Sequence, residues 1–290
     1  SNHKRELDSL VLPAITYFAR GITCPNRFLV YAIREDAVWP RFLEQYLRWP
    51  WPFSATLPRL RVKAAVLFIK GLPMGYVTQR SDLTRIQGQL QHFAELLDRG
   101  RELYWTPEGG LGLDGKFGRV RAGLYRIVQG SHSALRLLPV AVFYDFMTTR
   151  RTRCFVRFGS EMVVDRSLSR SAFEQQVRQA ILREMTVNIG HLAAATLREL
   201  PPGARFRDQE LEQGLVAHAR RLRAGGFALD PRLTMRWTFK RRLKRFVGYA
   251  MRHGILRREG DSWRVAAGLQ QPKMSYVLNE LEEAERVLDG

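Results

Sequence analysis

Apolar residues in the first half of the chain gather in short runs separated by polar or turn-forming stretches. The run FLVYAI (Phe28 to Ile33), between Pro25-Asn26 and Arg34-Glu35-Asp36, predicts a buried strand bounded by turns. VLFI (Val66 to Ile69) and Glu102 to Trp105 read the same way, the second ending at Pro107-Glu108-Gly109-Gly110. Between them the pattern from about Asp82 to Arg99 predicts a helix, and a second follows from about Ala122 to Ser131. LLPVAVFYD (Leu137 to Asp145) and CFVRFG (Cys154 to Gly159) add two core strands. Strands alternating with helices predict an α/β fold, a mixed layered sheet flanked by helices. The stretch Trp39 to Pro58 holds Pro40, Pro50, Pro52 and Pro58 among its aromatics, which predicts irregular chain with exposed aromatic surface.

The rhythm then changes. Ser171-Ala172-Phe173-Glu174 has the form of a capping box, and Phe173, Val177, Ile181, Met185 and Ile189 recur every four residues behind it. One amphipathic helix is expected here, ended by Pro201-Pro202-Gly203. The linker at 200 to 206 divides the chain into residues 1–200 and a smaller, basic, mainly helical region at 207–290. In that region RWTFKRRLKRFVGYAMRH (Arg236 to His253) predicts a helix with Phe239, Leu243, Phe246, Val247 and Ala250 on one face. Lys240, Arg241, Arg242, Lys244 and Arg245 lie around the rest. A two-stranded ribbon from Ile255-Leu256 through Trp263 to Val265 would complete a winged-helix-like outline.

Charge sharpens the picture. With 47 Lys+Arg against 28 Asp+Glu the formal charge is +19, which favours polyanions: nucleic acid, anionic lipid or phosphorylated small molecules. The two cysteines, Cys24 and Cys154, make neither a disulfide framework nor a zinc site, and a reducing cytoplasmic setting is the simplest expectation. No apolar run approaches the ~18 residues of a spanning helix, so membrane contact is expected to be peripheral. The sequence begins without Met and inside the first motif described below, so an upstream segment, an anchor or strand among the candidates, is expected.

Four motifs carry the chemistry. His3 and Asp8 stand in Asn-His-Lys-Arg-Glu-Leu-Asp, where an aspartate can hold an imidazole in the tautomer a general base needs. Gly75-Tyr76-Val77-Thr78-Gln79-Arg80 follows, then Pro107-Glu108-Gly109-Gly110 continued as LGLDGKFGRVRAG, then LLPVAV with its central Pro139. The glycines at 109 to 118 also suit a phosphate-cradling loop, but Gly-Lys-Ser/Thr is absent, and the Gly-x-Gly-x-x-Gly spacing at Gly110 to Gly115 neither follows a strand directly nor opens a helix. His92, His132, His191, His218 and His253 lack metal-ligand spacing and read as surface or helix-packing residues.

In order and spacing these motifs, over residues 1 to about 165, resemble the superfamily of glycerol-3-phosphate and lysophosphatidate acyltransferases. The spacing from Glu108 to Lys116 is closer to the glycerol-3-phosphate branch. The resemblance implies His3 as general base and Asp8 as its orienter. It implies Arg80 as an acceptor-anion contact, Glu108, Gly109 and Gly110 as shapers of the acceptor site, and Pro139 as part of the acyl-binding wall. Where that branch carries arginines after Glu-Gly-Gly this chain has Leu111, Gly112 and Leu113, which leaves Lys116, Arg119 and Arg121 to supply the charge, or else a different acceptor. No cofactor is implied: acyl-coenzyme A, or an acyl group on acyl carrier protein, is the co-substrate and a glycerolipid precursor the acceptor. The other expected partner is an anionic membrane surface. A catalytically silent lipid-binding domain and nucleic-acid binding through the basic C-terminal region are the alternatives, the latter weakened by the lack of an aromatic RNA-binding signature.

Overall fold

The structure, a computed structural model, describes residues 83–109, 114–148, 152–201, 203–266 and 270–287, together with the backbone of two strands at 29–34 and 74–77. It is a mixed α/β protein. Strand β1 (Leu29–Arg34) lies between β2 (Met74–Val77) and β3 (Glu102–Tyr104), and both pairings are parallel, as crossover connections require. Helix α1 (Leu83–Asp98) leads into β3 and packs on α2 (Ala122–Gly130) through Leu90, Phe93, Ala94 and Ile127. The strand expected at 66–69 and the Trp39 to Pro58 stretch lie outside the described residues.

The apolar run from 137 to 145 forms two strands rather than one. β4 (Arg136–Leu137) pairs with β7 (Met162–Val163), and β5 (Val140–Asp145) pairs antiparallel with β6 (Arg153–Phe158) from Val140↔Phe158 to Asp145↔Arg153. Pro139 has no N–H to offer a ladder, and it marks the break. Every residue of β5 is buried. Its alternation sends Ala141 and Phe143 into the main core and Val140, Val142 and Tyr144 to the other face, against Tyr104 and Val156.

The helix expected from Ser171 onward is two helices. Ser169, not Ser171, caps α3 (Arg170–Arg183), accepting from the Ala172 N–H at 3.3 Å, while Glu174 pairs with Arg170 at 2.6 Å. After α3 the chain turns into β8 (Thr186–Val187), which runs parallel to β10 (Ala228–Leu229). Asn188 then starts α4 (Ile189–Arg198). Its Oδ1 accepts from the Gly190 and His191 N–H groups at 2.9 and 3.3 Å, and the His191 Nδ1 accepts from the Asn188 N–H at 3.1 Å. That closed cap ends one helix frame and begins another.

Helix α4 is buried along almost its whole length, with Ala193, Ala194 and Ala195 fully covered, and it is the axle of the C-terminal half. Around it stand α5 (Asp208–Ala224), α6 (Arg236–Arg252) and α7 (Pro272–Glu285). A three-stranded antiparallel sheet in the order β11 (Leu256–Glu259), β12 (Ser262–Val265), β9 (Arg205–Phe206) closes one side. A single apolar cluster runs from Phe117 to Val287, across the 200–206 stretch. Each large side chain sealed in it, such as Phe143, Phe173 or Phe246, contributes roughly 1.5–3 kcal/mol. None of the described helices is long and apolar enough to cross a membrane.

Candidate functional site

The Pro107-Glu108-Gly109 turn leaves the sheet directly after β3. The Gly109 N–H returns to the Thr106 carbonyl at 3.1 Å, and Gly109 has φ 61°, which glycine adopts without a Cβ penalty. Glu108 turns inward and is 6% exposed. Its Oε1 accepts from the Gly118 N–H at 2.6 Å, while Arg121 donates from its backbone to the Pro107 carbonyl at 2.7 Å and from Nε to the Glu108 carbonyl at 3.2 Å. Glu108 therefore braces the turn against the next stretch of the same loop.

That stretch is itself seated on α7. Gly115 has φ 83°, and a Cβ there would collide with the Tyr276 carbonyl, while Asn279 Nδ2 donates to the Asp114 carbonyl at 2.8 Å. Gly115, Phe117 and Val120 point in; Lys116, Arg119 and Arg121 point out and are exposed. The loop thus presents three exposed cations from a backbone seated on α7.

Pro139 is buried between β4 and β5, its carbonyl accepting from the Gly159 N–H at 2.9 Å. Pro139 and Pro107 both line a cleft of about 520 Å³. Trp105 and Pro107, Leu124 and Ile127 of α2, Ile181 of α3 and Leu137 to Val140 line it. Charged groups, Arg101, Glu102, Arg136 and Glu161, also line it, and Arg136 pairs with Glu161 at 3.0 Å. Asp98, in the same lining, is held by Ser131 Oγ at 2.5 Å and by the His132 and Ser133 N–H groups at 2.8 and 2.9 Å. Those donors, Ser131 foremost, hold its carboxyl at about 2.

Of the sequence-predicted residues, Glu108, Gly109 and Arg121 are in one hydrogen-bonded unit, Lys116 and Arg119 share their loop, and Pro139 lines the cleft that Pro107 also lines. His3, Asp8, Arg80 and Gly110 lie outside the described residues.

Arg178 escaped the sequence reading. It lies on α3 with its guanidinium 5.6 Å from the Phe117 ring centroid and ion-paired to Glu283 of α7. Burial lowers its pKa, Arg286 lowers it further, and Glu108 pulls it back up. No local spacing could have signalled it, because Phe117 and Glu283 stand 61 and 105 positions away.

Two buried polar assemblies stand apart from the cleft. Arg242, expected on the solvated face of the basic helix, is only 3% exposed. It donates to Thr148 Oγ1 at 2.6 Å and lies 3.5 Å from Asp145 and from Asp230, which also takes Arg153 at 2.6 Å. Its position on the helix points inward, where the two carboxylates face the guanidinium while its Nε finds no hydrogen-bond partner; burial lowers its pKa, Asp145 opposing. His191, read from the sequence as a surface or helix-packing residue, is fully buried with Nε2 3.0 Å from Glu280 Oε2. With Nδ1 accepting from Asn188, the proton sits on Nε2 and points at Glu280.

Among the described residues no group of three or more His, Cys, Asp or Glu side chains could hold a metal ion. Comparison of the chain with protein-family models and with curated proteins returned no match.

Proposed function

We propose that the protein transfers a fatty-acyl group from an acyl thioester, on coenzyme A or acyl carrier protein, to a hydroxyl of glycerol-3-phosphate or a lysophospholipid. One observation carries this reading: Pro107 of the Pro-Glu-Gly turn and Pro139 line one cleft together with Trp105, Leu124, Ile127 and Ile181, and the stretch after the turn holds Lys116, Arg119 and Arg121 in solvent. The cleft's apolar lining residues suit an acyl chain and exposed cations suit a phosphate. In the proposed step His3, oriented by Asp8, takes the acceptor hydroxyl's proton as that oxygen attacks the thioester carbonyl. The tetrahedral intermediate collapses to the ester, and the departing thiolate receives the proton from the imidazolium. No enzyme-bound acyl group forms.

Residues 1–200 form the acyl-transfer part in this proposal and 207–290 a basic part, with the protein working peripherally at a membrane in the cytoplasm. For the basic part we favour a winged-helix-like arrangement. The succession α5, α6, β11, β12, with β9 completing the sheet, supports it.

The test is thiol release from palmitoyl-coenzyme A on anionic vesicles, with glycerol-3-phosphate, lysophosphatidate and neutral lyso-lipids offered separately. Acceptor-dependent release that disappears in His3→Ala and Asp8→Asn is expected. Lipid binding without turnover in any combination would replace this reading with a silent lipid-binding domain.

A further inference from the structure

Helix α6 divides its side chains between two fates. Phe239, Phe246, Tyr249 and Ala250 are buried in the common core and Arg242 is sealed among carboxylates, so the helix's apolar face is already occupied. The other half is open: Arg236, Trp237, Lys240, Arg241, Lys244, Arg245, Met251 and Arg252 are all exposed. Positions 237, 240, 244, 248 and 251, spaced three or four apart, run down the middle of this face. The helix contains no acidic residue, and among the described residues Lys240, Arg241, Lys244 and Arg245 have no ion-pair partner. Exposed large apolar side chains concentrate here as well. Of the six among the described residues, Met235 (54% exposed), Trp237 (62%) and Met251 (46%) belong to α6 or its N-cap.

We infer that this face of α6 docks on an anionic lipid surface, its cations against the headgroup phosphates and Trp237 and Met235 inserted among the headgroups. A basic helix whose apolar face entered the lipid would have to leave the core, so the docking face is the outward one. Charge alone also suits a nucleic acid, and the apolar tips decide between them. A bilayer interface accepts cations and a Trp or Met side chain together, whereas a duplex groove takes the cations and leaves three large apolar groups unused. The helix also has no Asn or Gln with which to read adenine edges. The docking rests on this geometry and is independent of the acyl transfer proposed for the cleft.

The experiment is co-sedimentation of the whole chain with vesicles of phosphatidylcholine alone or of phosphatidylcholine with phosphatidylserine, at low and high salt. Two fourfold variants lose the same charge. One carries Lys240→Gln, Arg241→Gln, Lys244→Gln and Arg245→Gln; the other carries Arg126→Gln, Arg183→Gln, Arg220→Gln and Arg223→Gln, all exposed positions on other helices. Binding that requires phosphatidylserine, falls with salt, and drops roughly 10²–10³-fold in the first variant but less than about tenfold in the second is expected. A Met235→Ala/Trp237→Ala pair, which removes no charge, should weaken binding about tenfold and blue-shift less on vesicles than the parent. Equal losses in the two fourfold variants would mean that net charge alone binds the vesicles and would overturn the inference. So would vesicle binding untouched in the first variant while its affinity for duplex DNA collapses, which assigns the face to nucleic acid.

Discussion

The arginines of the glycine loop and those around Asp230 carry the same charge and meet opposite fates. Arg119 and Arg121 stand in water on a loop whose backbone is pinned from beneath by Glu108, Tyr276 and Asn279. Arg242 and Arg153 close on Asp145 and Asp230, which are each 1% exposed. The buried group joins the end of β5, the start of β6, the segment after β10, and α6, so it sets how four separate elements meet. In the exposed group only Arg121 is tied to the fold, by Nε to the Glu108 carbonyl, and the remaining guanidinium donors face solvent. Desolvated charge here organises the fold, and solvated charge on a rigid backbone is where chemistry is proposed.

Removing one member of the buried group gives the largest expected effect. Asp230→Ala removes the buried carboxylate that Arg153 and Arg242 share, leaving Arg242 with Thr148 and Asp145, and should cost about 3–5 kcal/mol in denaturant unfolding. A change below about 1 kcal/mol would erase the contrast between the regions. Next comes the seat of the loop: Gly115→Ala adds both a positive-φ penalty and a collision with the Tyr276 carbonyl, and should lower stability by about 1–3 kcal/mol. Arg119→Gln with Arg121→Gln should behave in the opposite sense. Unfolding should shift by less than about 1 kcal/mol, while the KM for a phosphate-bearing acceptor rises roughly tenfold or more.

The smallest effect is a pH dependence at the cleft. Asp98 titrates at about 2, below its ordinary 3.8, so its contribution to stability is complete above that ordinary value and is lost as pH falls toward 2. The thermal midpoint of the parent should therefore fall more steeply than that of Asp98→Asn between mildly and strongly acidic pH. Parallel curves would show that the Ser131 and Ser133 donors do not favour the ionised carboxyl.

What the sequence disclosed follows from the range of each signal. Helices α1 and α2 and strands β3, β5 and β6 were legible because their apolar spacing is local, and α6 was found with its inward Phe239 and Phe246. The break between α3 and α4 was not, since the four-residue spacing from Phe173 to Ile189 passes without a fault through Thr186-Val187. Asn188 followed by His191 was the available clue, and it needed recognition as a cap. Arg242 looked like one cation in a basic stretch; its acceptors Thr148 and Asp145 are 94 and 97 positions away, beyond any local pattern. Glu108 and Pro139 stood out in the sequence as motif residues, but the inward turn of Glu108 onto Gly118 depends on backbone geometry that spacing does not encode.

The most direct measurement is acceptor-dependent ester formation by the parent and the Arg119→Gln/Arg121→Gln variant, with glycerol-3-phosphate, lysophosphatidate and a neutral monoacylglycerol compared at fixed acyl thioester. Phosphate-bearing acceptors should be preferred by the parent and lose that preference in the variant, with thermal midpoints nearly equal. Equal turnover of charged and neutral acceptors in both proteins, or no ester from any acceptor, would contradict acyl transfer to a phosphorylated acceptor at this loop.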